Sequence, residues 1–212
     1  TVTAKGVNND AAADDDVTLT VGFFATAVKS GRWINSGKGW SYQYSDGTHP
    51  SSEVVEIDGV AYRFDADGYL AYGWDKADGY WYYYGANGRA SGWTRVNSLW
   101  YYLDPSTGQM QIGWTKVGDS LYYLEATGVM TTGWKSIDGN WYLFDASGAM
   151  TTGWQASNGS WYYLNEDGTM ATGWKGVDGY WYYLKPSGQM VTGTQWVDGR
   201  WQNFDSSGRW IG

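Results

Sequence analysis

The sequence predicts an all-β protein, a solenoid of about nine stacked β-hairpins on a 20-residue repeat, and three observations lead there. The first is a comb of glycines: Gly47 stands 21 residues before Gly68, after which Gly88, Gly108, Gly128, Gly148, Gly168, Gly188 and Gly208 follow at a constant step of 20. A fixed period of this length marks a repeat architecture. The second is a turn signal in the middle of most units, Asp58-Gly59, Asp78-Gly79, Asp138-Gly139, Asn158-Gly159, Asp178-Gly179 and Asp198-Gly199. The third is composition: 16 Trp, 19 Tyr and 31 Gly in 212 residues, so the apolar core is built largely from rings.

Each unit reads as two strands. Strand one carries a Gly-Trp pair, the Asp-Gly or Asn-Gly turn follows, and strand two is an aromatic run such as NWYLF at 140–144. Asx-Gly between aromatic runs is the strongest short-range hairpin signal, because both central residues of a type I′ turn need positive φ. The repeat glycine then turns the chain into the next unit. Two compensating slips, an extra residue in DPSTG and a missing one in GRASGW, keep the register. A two-stranded hairpin is marginal alone, so consecutive units must stack and bury one another.

Residues 1–30 do not share the pattern and are read as a linker or the remnant of a preceding domain, with residues 31–212 forming the repeat solenoid. NNDAAADDDV is small and acidic, and VTLTVGFF alternates like a strand. Asp14, Asp15 and Asp16 suggest either a calcium site or a solvated acidic loop, and the loop is the plainer reading. The abrupt start at Thr1 suggests a piece of a longer protein.

A formal charge of −8 argues against nucleic acid, whose binding needs clustered Lys and Arg, and favours a cationic or neutral partner. Without Cys there are neither disulfides nor thiolate metal sites. No apolar run approaches the roughly 20 residues of a membrane-spanning helix. His49, the one histidine, sits in DGTHPSS with no nucleophile elbow, metal-binding His pair or phosphate loop beside it. The recurrent Asp residues answer to turn geometry. The chain is therefore read as a binding module with no catalytic residues, metal or cofactor.

The rings carry the chemistry. Fourteen of the 16 Trp fall in two slots: Trp33, Trp74, Trp93, Trp114, Trp134, Trp154 and Trp174 in strand one, and Trp40, Trp81, Trp100, Trp141, Trp161, Trp181 and Trp201 in strand two, with Trp196 and Trp210 outside. All five Met (Met110, Met130, Met150, Met170 and Met190) fall two residues after a repeat glycine. Burial for packing explains any one ring, but a pure packing slot accepts Leu, Ile or Phe. The same strands do use Leu103, Leu124, Phe144, Leu164, Leu184 and Phe204 at a neighbouring position. Strand alternation puts Trp141 and Leu143 on one side, Tyr142 and Phe144 on the other, with Trp134 sharing the side of Trp141. On stacking, that Trp pair faces Tyr162 and Met170 of the next unit. Two indoles, a phenol and a thioether then form an uncharged box suited to a quaternary ammonium, each desolvated cation–π contact supplying about 2 kcal/mol.

The unit TGWKGVDGYWYYLKPSGQMVTG (172–193) and its relatives resemble the cell-wall-binding repeat of choline-binding proteins, because Gly-Trp, Trp-Tyr-Tyr and Gly-x-Met recur together in register over about residues 31–212. The resemblance implies a left-handed superhelix of hairpins, non-catalytic and extracellular. Such a module anchors its protein to choline on the teichoic acids of Gram-positive walls, through sites between consecutive hairpins. Carried onto this chain, it implies four sites: Trp74, Trp81, Tyr101 and Met110; Trp93, Trp100, Tyr122 and Met130; Trp134, Trp141, Tyr162 and Met170; Trp154, Trp161, Tyr182 and Met190. Trp33, Trp40, Tyr62 and Leu70 form a further candidate across an irregular connection.

Departures from the pattern predict gaps. Val54 and Ala61 replace both Trp of one unit, and Leu121 replaces the second Trp beside Trp114, so the following joints are expected to be empty or weak. In the last unit Thr194 takes the first Trp slot and Gln202 the Tyr slot. That leaves Trp174 and Trp181 as candidates without their usual partner, and the unit reads as a cap. Its TGTQ also resembles the glucan-binding repeats of extracellular glucansucrases, which makes an α-glucan the alternative ligand, with Gln195, Gln202 and Asn203 to orient hydroxyls. A third reading is a structural stalk or adhesin.

Overall fold

The computed structural model describes residues 29–212. The acidic segment with Asp14, Asp15 and Asp16 and nearly all of the expected linker lie outside the described residues. Contacts divide the chain into two compact units, Thr1–Ala71 and Tyr72–Gly212, and the division falls after the hairpin that carries Val54 and Ala61 in place of both Trp.

The first unit contains two antiparallel hairpins, β1 (Gly31–Ser36) with β2 (Gly39–Tyr44) and β3 (Val54–Ile57) with β4 (Val60–Arg63). The second contains seven. β5 (Gly73–Ala77) pairs with β6 (Tyr80–Gly85), which also carries the short β7 (Gly88–Arg89). Then come β8 (Gly92–Val96) with β9 (Leu99–Leu103), β10 (Gly113–Val117) with β11 (Ser120–Leu124), and β12 (Gly133–Ile137) with β13 (Asn140–Phe144). The series closes with β14 (Gly153–Ser157) and β15 (Ser160–Leu164), β16 (Gly173–Val177) and β17 (Tyr180–Leu184), and β18 (Gly193–Val197) and β19 (Arg200–Phe204). Among the described residues every expected unit is a hairpin, and none is helical.

The turns follow the chemistry read from the sequence. Asp138 and Gly139 take φ of 49° and 82°, and Asp178 and Gly179 take 50° and 80°, as a type I′ turn requires. The turn between β8 and β9 differs, because Asn97 (φ 49°) is followed by Ser98, which is held at φ 69° although it carries a Cβ. A left-handed conformation costs a non-glycine residue about 1–2 kcal/mol. Ser98→Gly should therefore stabilise the protein by about 1 kcal/mol, read as a higher unfolding midpoint; an unchanged or lowered midpoint would show that the turn is not strained.

Alternation separates core from surface. Leu103, Leu124, Leu164 and Leu184 are 0% exposed and Phe144 1%, so the Leu/Phe slot of strand two is the core slot. Within each unit successive hairpins are joined by one recurrent backbone bond: the N–H two residues past a repeat glycine donates to the carbonyl of the strand-two Trp of the preceding hairpin. Met110 donates to Trp81, Met130 to Trp100, Met170 to Trp141 and Met190 to Trp161, all at 2.8 Å. The same bond joins Leu70 to Trp40 in the first unit.

The repeat glycines are needed twice over. Gly168 has φ 82°, and a Cβ there would run into the sulfur of Met150. The same relation holds between Gly128 and Met110, Gly148 and Met130, Gly188 and Met170, and Gly208 and Met190. The Met period and the Gly period are one feature: a flexible thioether fills the space left by the next unit's missing side chain.

Candidate functional site: aromatic boxes at the hairpin joints

Register places the two Trp of a hairpin on one face but out of contact with each other. Trp134 lies opposite Leu143, and Trp141 lies opposite Ser136. The indoles are therefore diagonal neighbours, whose positions are about 7–8 Å apart. In the last hairpin Trp196 lies directly opposite Trp201. There the rings meet edge to face at 5.3 Å.

Each first Trp meets the Tyr of the following hairpin. Ring centroids lie 4.8 Å apart for Trp74 and Tyr101, 4.8 Å for Trp93 and Tyr122, 4.8 Å for Trp134 and Tyr162, and 4.7 Å for Trp154 and Tyr182. Interplanar angles of 61–65° set edge against face, the favourable arrangement for two rings. The backbone bond to Met brings the second Trp to the same joint. Each predicted set is therefore linked by one ring contact and one backbone hydrogen bond. At the joint of Trp154 and Tyr182 the Met190 side chain also packs with them around Leu184. In the first unit Trp33 meets Tyr62 at 4.8 Å, and Leu70 bonds to Trp40, so the further candidate has the same form.

Exposure separates the ring slots from the core. Trp81, Trp100, Trp141 and Trp161 are 42%, 41%, 47% and 49% exposed. Packing therefore does not account for the strand-two slot, and it accounts only in part for the half-buried strand-one slot. The indole N–H of Trp134 donates to the Ser157 hydroxyl at 3.1 Å, which fixes the ring against the turn of the next hairpin.

The joint after Trp114 keeps half of the arrangement. Trp114 meets Tyr142 at 4.9 Å, and Met150 donates to the Leu121 carbonyl, so the backbone and one ring pair persist while the second indole is missing. At the last joint the structure differs from the capped end read from the sequence. Trp210 follows Gly208 at the Met position, and its N–H donates to the Trp181 carbonyl at 2.8 Å. Its ring comes within 5.9 Å of Trp174. Its distance from a repeat glycine is the one sequence signal that would have found it, obscured because no Met stood there.

Basic side chains reach two of the joints. Lys76 lies 5.8 Å from the Trp81 ring and the Arg95 guanidinium 6.0 Å from Trp100, while Ser136 and Ala156 stand opposite Trp141 and Trp161. Asp145 accepts from the backbone N–H of Ser147 at 2.8 Å and of Ala149 at 3.0 Å, the turn role expected of the repeat aspartates. The Ser147 hydroxyl, with these N–H groups, holds the Asp145 carboxyl below its ordinary value. Glu125 is likewise lowered by Lys135, whose ammonium lies 2.7 Å away at the surface. His49 is exposed in the first unit, with Nδ1 3.2 Å from the Pro50 carbonyl. Among the described residues no group of acidic or histidine side chains is arranged to hold a metal, and no helix is long and apolar enough to cross a membrane.

Comparison with known proteins adds to this geometry. The choline-binding repeat family matches residues 90–132, 131–172 and 151–193. The chain is similar to the structure of CbpJ from Streptococcus pneumoniae TIGR4, at 35% identity and a TM-score of 0.76, over 82% of this chain and 70% of that one. It is similar to choline binding protein F from Streptococcus pneumoniae in the presence of a peptidoglycan analogue, at 34% identity and a TM-score of 0.74 over the same shares. It also resembles that protein in complex with ipratropium, at 33% identity and a TM-score of 0.71 over 82% of this chain and 71% of that one. No curated protein matches the chain. Matching repeats, matching hairpins and the recurrent box together place the chain in the choline-binding repeat family.

Proposed function

We propose that this chain is a non-catalytic module that anchors its parent protein outside the cell, at the wall, by binding choline groups of teichoic acid in the boxes between consecutive hairpins. The observation that supports this best is the repeated joint in which a first indole meets the next hairpin's tyrosine edge to face while an exposed second indole is tied by its carbonyl to the Met backbone. A trimethylammonium has no proton to donate, so ring faces serve it and a hydrogen-bonding pocket would not. The net charge of −8 draws cations toward the surface. The sites built on Trp134, Trp141, Tyr162 and Met170 and on Trp154, Trp161, Tyr182 and Met190 lead, because no basic side chain stands opposite their second indole. Weak boxes suffice: at about millimolar affinity each contributes near −4 kcal/mol, and a polymer bearing many ligands holds the array through effective concentration.

The test is tryptophan fluorescence titrated with choline, beside an isomalto-oligosaccharide at matched concentration. The expected result is a saturating change with choline at roughly millimolar concentration and none with the sugar. A flat response to choline up to tens of millimolar overturns the proposal, and a response to the sugar alone establishes the glucan reading.

A further inference from the structure

The last joint lacks the tyrosine of the regular box, yet its rings border a cavity that is wide open to solvent. About 280 Å³ is walled by Trp174, Trp181 and Trp210, with almost no polar surface on its lining. We propose that this cavity is a quaternary-ammonium site of its own kind, walled by three indoles, with Gln202 as the positioning residue for the third. The proposal rests on the choline reading above and adds to it a site, a rank among the sites and a residue that sets it.

Trp210 is held at two points. Its backbone N–H donates to the Trp181 carbonyl at 2.8 Å, and its indole N–H donates to Gln202 Oε1 at 2.8 Å. Gln202 occupies the slot in which other hairpins place their tyrosine, so the residue that removes one ring orients its replacement. Trp174 is held in turn, its indole N–H donating to Asp198 Oδ2 at 2.9 Å, and it meets Trp210 at 81°. Trp181 extends over Gly176, where a Cβ would still stand 3.7 Å from the ring, and no basic side chain lies opposite it. Trp181 and Trp210 remain 53% and 43% exposed, so both are open to a ligand. Arg209, the nearest cation in sequence, is committed elsewhere, with its guanidinium 4.1 Å from the Tyr180 ring.

These bonds select the ligand. Two of the three indole N–H groups are already spent on Gln202 and Asp198, so a polyol entering the cavity would lose water from its hydroxyls and gain few partners. A quaternary ammonium needs no partner of that kind. Trp is the best of the aromatic side chains for a cation, and donation from Trp174 to a carboxylate makes its ring more electron-rich. Three indoles should therefore outrank two indoles and a phenol, and this site should fill first.

The test uses the full chain labelled with 5-fluorotryptophan and followed by ¹⁹F NMR during choline titration, with signals assigned by single Trp→Phe variants. The Trp174, Trp181 and Trp210 signals should move at lower choline than those of Trp154 and Trp161. Trp210→Leu should weaken binding reported by Trp174 and Trp181 about tenfold while the Trp154 and Trp161 signals titrate as before. Gln202→Leu should weaken the same site. Gln202→Glu, which keeps an acceptor for the indole N–H, should restore it, and loss of packing alone would not show that rescue. If the Trp154 and Trp161 signals respond to choline but those of the last joint stay still or move later, this inference is overturned and the choline reading stands. If no signal responds, both fall.

Discussion

Gly168→Ala should destabilise the protein by about 2–5 kcal/mol, the sum of a left-handed backbone penalty and an overpacked joint. Gly168 is buried at φ 82° and a Cβ would meet the Met150 sulfur, so the substitution strains the backbone and pushes the thioether out of its place at once. Gly139 provides the control. It has the same φ of 82°, but no atom within 4 Å awaits a Cβ, so Gly139→Ala should cost only the backbone part, about 1–2 kcal/mol. Denaturant midpoints at constant slope measure both. Combining Gly168→Ala with Met150→Ala should recover part of the loss. If the two glycines cost the same, the close approach of the methionine does not govern the repeat.

The second large effect separates stability from binding within one strand. Leu164 is 0% exposed, and Leu164→Ala should cost about 2–5 kcal/mol through lost burial and the cavity left behind. Trp161, three residues earlier on β15, is 49% exposed, and its part in the joint bond is played by its carbonyl, which any residue supplies. Trp161→Ala should therefore shift the unfolding midpoint little, by about 1 kcal/mol or less, while abolishing choline binding at that joint. Thermal unfolding paired with the fluorescence titration reads both quantities. Large destabilisation by Trp161→Ala would return this slot to the core.

The pairing of rings across a joint is legible in the residues alone. Strand alternation and the stacking of one unit on the next set Trp134 and Trp141 against Tyr162 and Met170, and the structure has Trp134 meeting the Tyr162 ring and Met170 bonded to the Trp141 carbonyl. The contrast between Trp and the neighbouring Leu/Phe slot also separated surface from core, because a slot that accepts Leu or Phe asks only for volume. Less legible was the second task of methionine. Its pairing with the glycine of the next unit depends on a side-chain path across a joint, and no periodicity distinguishes a thioether aimed at a glycine from one aimed at a ring.

The last joint shows the same limit from the other side. Read slot by slot, Gln202 and Thr194 remove a tyrosine and a tryptophan, and the joint looks broken. Folded, Trp210 enters at the methionine position and Gln202 turns it inward. A substitution in one slot was answered in another, and the two become neighbours only when the strand end folds back beside β17.

Short-range physics controls the turns, where Asx-Gly accepts positive φ, the two-residue alternation that buries Leu and Phe, and the period that makes hairpins stack, so these features are readable from the residues alone. Packing between hairpins sets which rings border open space. The diagonal Trp174 and Trp181 border a cavity, whereas the directly opposed Trp196 and Trp201 meet edge to face. That distinction arises from cross-strand register and from contacts between hairpins, where residues far apart in the chain share one volume.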